Sequence, residues 1–175
     1  MRPMQLIISL TSLIFSLSAQ AGGSAEDIQQ LRNLLQPITS LSAQFKQQVM
    51  DADGFELQQS QGLFELAQPN NLRWIVEQPM PQQVISNGTT LWLYDPDLEQ
   101  VIVQPFDASI ESTPAILFSG DLDRLDSAYF IRQLSPGIFQ LIPEQEGSLF
   151  NRLEIAFVDQ LPASISLTDS LGQIT

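Results

Sequence analysis

Histidine and cysteine are absent from this chain of 175 residues, and basic residues are scarce. Their absence excludes Ser-His-Asp and Cys-His catalysis, histidine- or thiolate-ligated zinc, disulfide bonds and thiol redox chemistry. With 7 Lys and Arg against 20 Asp and Glu, the net charge is −13. Nucleic acids and anionic membranes bind clustered Lys and Arg, and the sequence has no such cluster. The length is sufficient for one domain with a hydrophobic core.

The N-terminus has the three parts of a secretory signal peptide. Arg2 supplies positive charge, Leu6 to Leu17 form an apolar run, and Ala19-Gln20-Ala21 is an A-x-A cleavage site. The apolar run is too short to span a membrane. We therefore predict a cleaved signal over residues 1–21, one mature domain over residues 22–175, and a periplasmic location in a diderm bacterium.

The hydrophobic pattern of the mature part predicts one helix followed by many strands. Ser24 to Leu35 is amphipathic, and Ser24 and Asp27 are spaced as a capping box. From Leu41 onward apolar and polar residues alternate, which is typical of strands. After the first strand, the predicted strands cover residues 61–66, 72–77, 83–85, 89–94, 100–104, 129–134, 138–142, 153–157 and 164–167.

Turns and short helices interrupt these strands. Asn87-Gly88 is typical of a type I′ hairpin, in which both residues have positive φ. The apolar stretch Thr113 to Phe118 begins with Thr-Pro, which favours a short helix, and Asp121 to Ala128 favours another. We predict a mainly β (α+β) fold, in which a single curved antiparallel sheet has its concave face lidded by helices.

The acidic clusters have two interpretations. Asp95, Asp97 and Glu99 could form a carboxylate site, but Asp-Pro-Asp between two strands favours a turn. Asp121 to Asp126 resembles the start of a calcium loop, yet it lacks the glycine and the terminal glutamate that the loop needs. Because no phosphate loop, nucleophile elbow or opposed carboxylate pair is evident, we predict neither an enzyme nor a metal site.

Large apolar residues are spread over every predicted element. They could form an ordinary core, or they could line an apolar cavity, because a single curved sheet has little else to pack against. Composition alone leaves both interpretations open.

Several stretches, taken in order, resemble one family. The stretches "SLSAQFKQ", "GLFELAQPNNLRWIVEQPMPQQVISNGTTLWLYDPDLEQVIV", "TPAILFSGD", "FQLIP" and "DSLGQIT" are similar to the periplasmic outer-membrane lipoprotein carriers of the LolA family. The resemblance covers nearly the whole mature chain. It implies an incomplete β-barrel, lidded by an N-terminal helix and short inserted helices, that binds lipoprotein acyl chains without a cofactor.

The resemblance also implies partners and a site. Such carriers act as monomers, take acylated lipoproteins from an inner-membrane ABC release complex and pass them to an outer-membrane acceptor lipoprotein. Trp74 corresponds to the family's cavity tryptophan, and Ile116, Leu117 and Phe118 fall on its lid helix. We add five apolar residues to the predicted acyl cavity: Phe45, Leu63, Trp92, Phe139 and Leu141.

Two departures from the family pattern bear on function. Many members carry Arg just before the Pro-Asn pair, where it bonds lid carbonyls; here the residue is Gln68. A neutral amide bonds more weakly than a guanidinium, so we expect the lid to close less firmly here, with Gln68 and Arg73 as the candidate latch residues. The family also continues past the D-x-x-G-Q turn, whereas this sequence ends at Thr175, which predicts an open sheet edge.

Alternatives from other functional classes stay open at this point. One is a paralogue that carries another lipid or a glycolipid, and another is a lipoprotein sensor that regulates an envelope-stress pathway. A non-lipid binding module or a small glycosidase is the third.

Overall fold

The computed structural model of the protein describes residues 23–106, 117–144 and 148–175. The predicted signal peptide and residues 113–116 of the predicted apolar helix lie outside these described residues.

The N-terminal helix forms as its sequence predicts. Helix α1 (Ala25–Leu35) begins after Ser24, whose hydroxyl accepts a hydrogen bond from the amide of Asp27 at 3.1 Å. The Asp27 carboxylate accepts in return from the amide of Ser24, which completes the capping box. The apolar face of the helix buries Leu31 and Leu35. The helix therefore joins the core through one face only.

Six strands follow α1 as an antiparallel meander. They are β1 (Ser40–Met50), β2 (Glu56–Ala67), β3 (Asn71–Gln78), β4 (Gln82–Asn87), β5 (Thr90–Asp95) and β6 (Gln100–Pro105). Each strand pairs with the next one along the chain, so sequence order and sheet order are the same. Short, polar turns allow this arrangement.

A second antiparallel sheet of four strands completes the described fold. It is preceded by helix α2 (Leu122–Ala128), whose first turn is capped by the Asp121 carboxylate. Its strands are β7 (Tyr129–Ser135), β8 (Ile138–Pro143), β9 (Arg152–Val158) and β10 (Leu161–Thr168), in the order β10-β9-β8-β7. Both α1 and α2 pack on β7.

The last residues of the chain join the two sheets. Ile174 exchanges backbone hydrogen bonds of 2.7 and 2.9 Å with Met50 of β1, and it also bridges to Thr168 of β10. The expected curved antiparallel surface is thus present as two open sheets linked through Ile174, and they do not close into a barrel. β1 and β10 consequently run in the same direction on either side of this link.

The core lies between the two sheets and beneath α1. Its ten largest fully buried side chains are Tyr129, Phe139, Leu31, Leu35, Leu117, Leu125, Ile131, Leu141, Leu153 and Ile155. Six of them belong to β7, β8 and β9, so the four-stranded sheet contributes most of the fully buried side chains among the described residues.

Two turns differ from the sequence prediction. Gly88 has φ of +85°, but Asn87 does not have positive φ; instead, the Asn87 side chain accepts bonds from the amides of Thr89 and Thr90. The two consecutive residues with positive φ are Asp159 and Gln160, at the β9–β10 turn. Because that turn contains no glycine, the pattern did not reveal it, and β10 begins at Leu161 instead of Ser164.

Within the described residues, no helix is both long and apolar enough to cross a membrane. The longer described helix, α1, has 11 residues.

Candidate functional site: the apolar inner face and its lid

The strand register divides the six-stranded sheet into two faces. Directly paired residues share a face, and neighbours along a strand alternate. One such row runs through Phe64, Trp74, Val84 and Leu93 on β2 to β5. Phe64, Val84 and Leu93 pack against the buried core, so this row marks the inner face of the sheet.

A second inner row lies two residues further along the same strands and extends to β1. It runs through Leu41, Leu66, Leu72, Ser86 and Leu91. The two rows together give the inner face an almost continuous apolar surface, which Ser86 alone interrupts within these two rows. Leu66, Leu72, Val84, Leu91 and Leu93 were not among the predicted site residues. The alternation of apolar residues around Trp74 and Trp92 was the signal that could have found them.

Four aromatic rings form a chain across the inner face. The ring centroid of Trp74 lies 4.1 Å from that of Phe45 and 5.6 Å from that of Phe64. Phe64 in turn lies 6.0 Å from Phe118. Phe118 therefore connects the wall of the site to the segment that covers it.

The covering segment runs from Leu117 to Ala128, and we call it the lid. It contains a short turn at Leu117 and Phe118, a bend at Gly120, and α2. Leu117 is 1% exposed and Phe118 is 8% exposed, so the first part of the lid is inserted into the interior. Ile116, which was predicted to belong to the same helix, lies outside the described residues.

The space left beneath the lid is very small. The cavity bordered by Phe64, Leu72, Phe106 and Phe118 has a volume of about 20 Å³. Sites that hold a small molecule usually enclose about 300 Å³ or more. Phe118 thus fills the space at this point of the inner face, and an apolar ligand that entered here would have to displace it.

A larger cleft of about 210 Å³ lies between the end of α1, the start of β1 and the β9–β10 turn. Leu34, Ile38, Leu41 and Leu161 supply its apolar lining. Leu41 belongs to the inner face, so this cleft is next to the covered site.

An ionic cluster fastens the lid to α1. Arg32 in the last turn of α1 donates through Nε to the Asp126 carboxylate at 2.7 Å and through Nη2 to Asp123 at 2.6 Å. Arg32 Nη2 also contacts Asp126. The hydrogen bonds that Arg32 donates to Asp126 first, and then to Asp123, raise the pKa of its guanidinium above its usual range, so Arg32 keeps its positive charge.

Gln68 lies where the lid, α1 and β1 meet. Its side-chain Nε2 donates to the carbonyl of Ile38 at 2.8 Å, just after α1 ends. Its Cδ and Oε1 lie 3.0 Å from the position that a Cβ would take on Gly120, a residue with φ of +85° in the lid. Gln68 is therefore bonded to the α1–β1 connection and packed against the lid.

Arg73, the other predicted latch, lies on the opposite face. It pairs with Glu65 at 3.3 Å, and both side chains are about half exposed. A row of direct pairs through Glu65, Arg73 and Ile85 alternates with the inner rows, so it belongs to the outer face.

The register also corrects the placement of two predicted cavity residues. Trp92 pairs with Ile85 and lies between the inner residues Leu91 and Leu93, so it is on the outer face. Leu63 pairs with Ile75 and neighbours Phe64, so it too is on the outer face. The sequence prediction included them for their apolar character without assigning each to a face.

Phe139 and Leu141 are fully buried in the four-stranded sheet. Phe139 packs edge-to-face against Phe157 at 6.2 Å, and Leu141 pairs with Ile131 and Leu153. They belong to the buried core and not to the inner face of the six-stranded sheet. Phe45, Trp74, Leu117 and Phe118 are the predicted site residues that the structure brings to the covered inner face.

Two polar oxygens are buried beneath or beside the lid and have no hydrogen-bond partner among the described residues. They are Oδ1 of Asn70, which borders the small cavity, and Oδ1 of Asp126. An unpaired buried oxygen costs about 1–3 kcal/mol, so both positions lower the stability of the fold unless water reaches them.

The acidic clusters are turns and caps, as the sequence favoured. The Asp95 carboxylate accepts hydrogen bonds from the amides of Asp97 and Leu98, both at 3.0 Å. The Asp51 carboxylate accepts from the amides of Asp53 at 3.0 Å and Phe55 at 2.8 Å. Asp121 caps α2, and no group of acidic residues in the described ranges could hold a metal ion.

The comparisons with known proteins agree with one another. The family model described as outer membrane lipoprotein carrier protein LolA matches residues 36–175. The outer-membrane lipoprotein carrier protein of Azotobacter vinelandii is 37% identical over 172 residues, which are 97% of this chain and 83% of that protein. The protein of the same name from Chromohalobacter salexigens is 38% identical over 167 residues, 94% of this chain and 78% of the relative.

Proposed function

Because the chain belongs to the LolA family of outer membrane lipoprotein carrier proteins, we propose that it is a periplasmic carrier of lipoproteins. In this proposal the acyl chains of the cargo lie against the inner face of the six-stranded sheet, beneath the lid. The observation that carries the proposal is the aromatic chain Phe45–Trp74–Phe64–Phe118, which connects that face to the lid.

The free energy of such a site is adequate for a carrier. Each CH₂ group removed from water contributes about 0.8 kcal/mol, so a dozen sequestered methylenes contribute roughly 10 kcal/mol. A bilayer offers a similar gain, so the protein holds a lipid anchor in solution but does not extract it unaided. Cargo must therefore be supplied by an energy-consuming donor and released to an acceptor with a somewhat better apolar site.

The lid adjusts this affinity. Loading must separate Phe118 from Phe64 and strain the contacts of Arg32 and Gln68, which lowers the net affinity for cargo. The unpaired oxygens of Asn70 and Asp126 act in the opposite direction, because opening exposes them to water. The balance favours a loose affinity, which suits a protein that must both load and release.

We propose an inner-membrane ABC release complex as the donor and an outer-membrane acceptor lipoprotein as the receiver. No chemical step is required of the protein in this scheme. Its residues bind, cover and uncover acyl chains.

A synthetic triacylated lipopeptide tests the proposal with the purified mature protein. We expect a soluble one-to-one complex, measured by native mass spectrometry, that the Trp74→Asp variant on the inner face loses. Trp92→Asp on the outer face is the matched control and should still form the complex. A wild-type protein that leaves the lipopeptide aggregated, or a complex that survives Trp74→Asp unchanged, would contradict the proposal.

A further inference from the structure

The outer face of the six-stranded sheet carries a band of apolar side chains that the carrier site does not use. Two adjacent outer rows supply it, as the direct strand pairs show. We call this band the outer stripe, and its members are Leu63, Ile75, Ile85, Trp92, Tyr94, Val101 and Val103.

The outer stripe is open to solvent at its β6 end. Val103 is 60% exposed, Val101 is 51% exposed and Tyr94 is 36% exposed, while the remaining members are half-buried. Single exposed apolar residues are ordinary, but an apolar band across five strands, which Gln83 and the Glu65–Arg73 pair interrupt, is typical of an interaction surface. Both described helices pack on β7 of the other sheet.

From this band we infer that the outer stripe is a docking surface for a protein partner that presents an apolar patch bordered by Lys and Arg. The charge next to the stripe supports this choice of partner. The β5–β6 turn carries Asp95, Asp97 and Glu99, and it lies between Tyr94 and Val101, which pair directly at this end of the stripe. Arg73, the cation inside the band, is neutralised by Glu65.

The same charges disfavour other occupants. A second copy would bring a second net charge of −13 to the interface, and an anionic membrane would also be repelled. A basic rim on the partner instead meets the acidic turn, which would speed association and fix the orientation.

Docking at the outer stripe leaves the inner face free. Trp92 and Val103 point away from the side that bears Leu91, Leu93 and Ile102, because neighbours on a strand alternate. A partner could therefore hold the protein by its outer face while the lid opens on the other. The inference concerns a protein–protein contact and does not depend on which ligand the inner face binds.

Site-specific photocrosslinking tests the inference in the periplasm of the producing cell. Benzoylphenylalanine replaces Val103 in the outer stripe, and in a matched control it replaces Val158, which is 61% exposed on β9 of the other sheet. We expect an adduct to another protein from position 103 and not from position 158. Tandem mass spectrometry should map it to apolar residues flanked by Lys or Arg.

A charge-neutralised variant, Asp95→Asn with Asp97→Asn and Glu99→Gln, should reduce the adduct yield several-fold. Its lipopeptide binding, measured separately, should be unchanged, which separates a failure of docking from a failure of the carrier proposal. Three outcomes would overturn the inference. The first is that position 103 gives no more adduct than position 158. The second is that the adduct joins a second copy or two parts of the same chain. The third is that the adduct yield is the same in the charge-neutralised variant.

Discussion

The ring of Phe118 lies 6.0 Å from the ring of Phe64, with the planes tilted by 55°. Phe118 belongs to the lid and Phe64 to the six-stranded sheet. Their contact therefore has to break when the lid moves away from the sheet. The cavity beside it measures only about 20 Å³, so an acyl chain that entered between the two rings would have to displace Phe118. The function that we propose depends on separating them.

Replacing Phe118 with Ala should open the site while weakening the fold. Loss of a buried phenyl ring costs about 3–5 kcal/mol of the free energy of unfolding. We expect a lower Tm together with a higher affinity for the apolar dye Nile red, since the ring that fills the site is gone. Thermal unfolding and fluorescence titration measure the two effects.

Phe157→Ala is the control for that variant, because Phe157 is also 8% exposed but packs on Phe139 in the other sheet. It should lower Tm similarly and leave dye affinity unchanged. Equal gains in dye affinity in both variants would indicate general loosening and argue against a lid.

Replacing Arg32 with Gln should release the lid from α1. The guanidinium that bonds Asp126 and Asp123 is lost, and the two carboxylates then repel each other. We expect faster dye uptake in stopped-flow fluorescence, with the difference from wild type shrinking as salt is raised. Arg73→Gln, which removes only the outer pair with Glu65, should leave the uptake rate unchanged. Identical rates for all three proteins would remove Arg32 from the lid mechanism.

Gln68 offers a test in both directions. Gln68→Ala removes the bond to the Ile38 carbonyl and should cost about 0.5–1.5 kcal/mol in the free energy of unfolding. Gln68→Arg supplies a charged donor at the same place, so we expect tighter closure and slower dye uptake. Denaturant titration and stopped-flow fluorescence measure these effects. Unchanged uptake in Gln68→Arg would count against this residue as a latch.

Gly120 should be coupled to Gln68. A Cβ on residue 120 would come within 3.0 Å of the Gln68 side chain, and φ of +85° disfavours any residue but glycine. Gly120→Ala should therefore lower Tm and speed dye uptake. In the Gly120→Ala, Gln68→Ala double variant, part of the loss should be recovered because the crowding is gone while the backbone strain remains. Strictly additive losses in denaturant titrations would show that the two residues do not contact each other.

The sequence predicted the elements well because their signals are local. The capping box of Ser24 and Asp27, the breaks in alternation and the acidic turns each depend on residues close together in the chain. The β9–β10 turn was missed because Asp159 and Gln160 adopt positive φ without a glycine. Without a glycine or an Asn-Gly pair, the residues of this turn do not predict a hairpin.

The site was harder to predict because it depends on which face each strand presents. Trp74 and Trp92 look alike in the sequence, yet the pairing register places one on the inner face and the other on the outer face. The contact of Gln68 with Ile38 and Gly120 joins three distant segments. The bond between Arg32 and Asp126 spans 94 positions, which no local pattern reveals.

The two tryptophans provide the most direct test, because the chain has only two and they lie on opposite faces. A fatty acid that carries a doxyl spin label on its acyl chain quenches fluorescence only at short range. We predict strong, saturable quenching in Trp92→Phe, where Trp74 is the sole emitter, and little quenching in Trp74→Phe. Quenching of Trp92 alone, or of both tryptophans equally, would contradict an acyl site on the inner face.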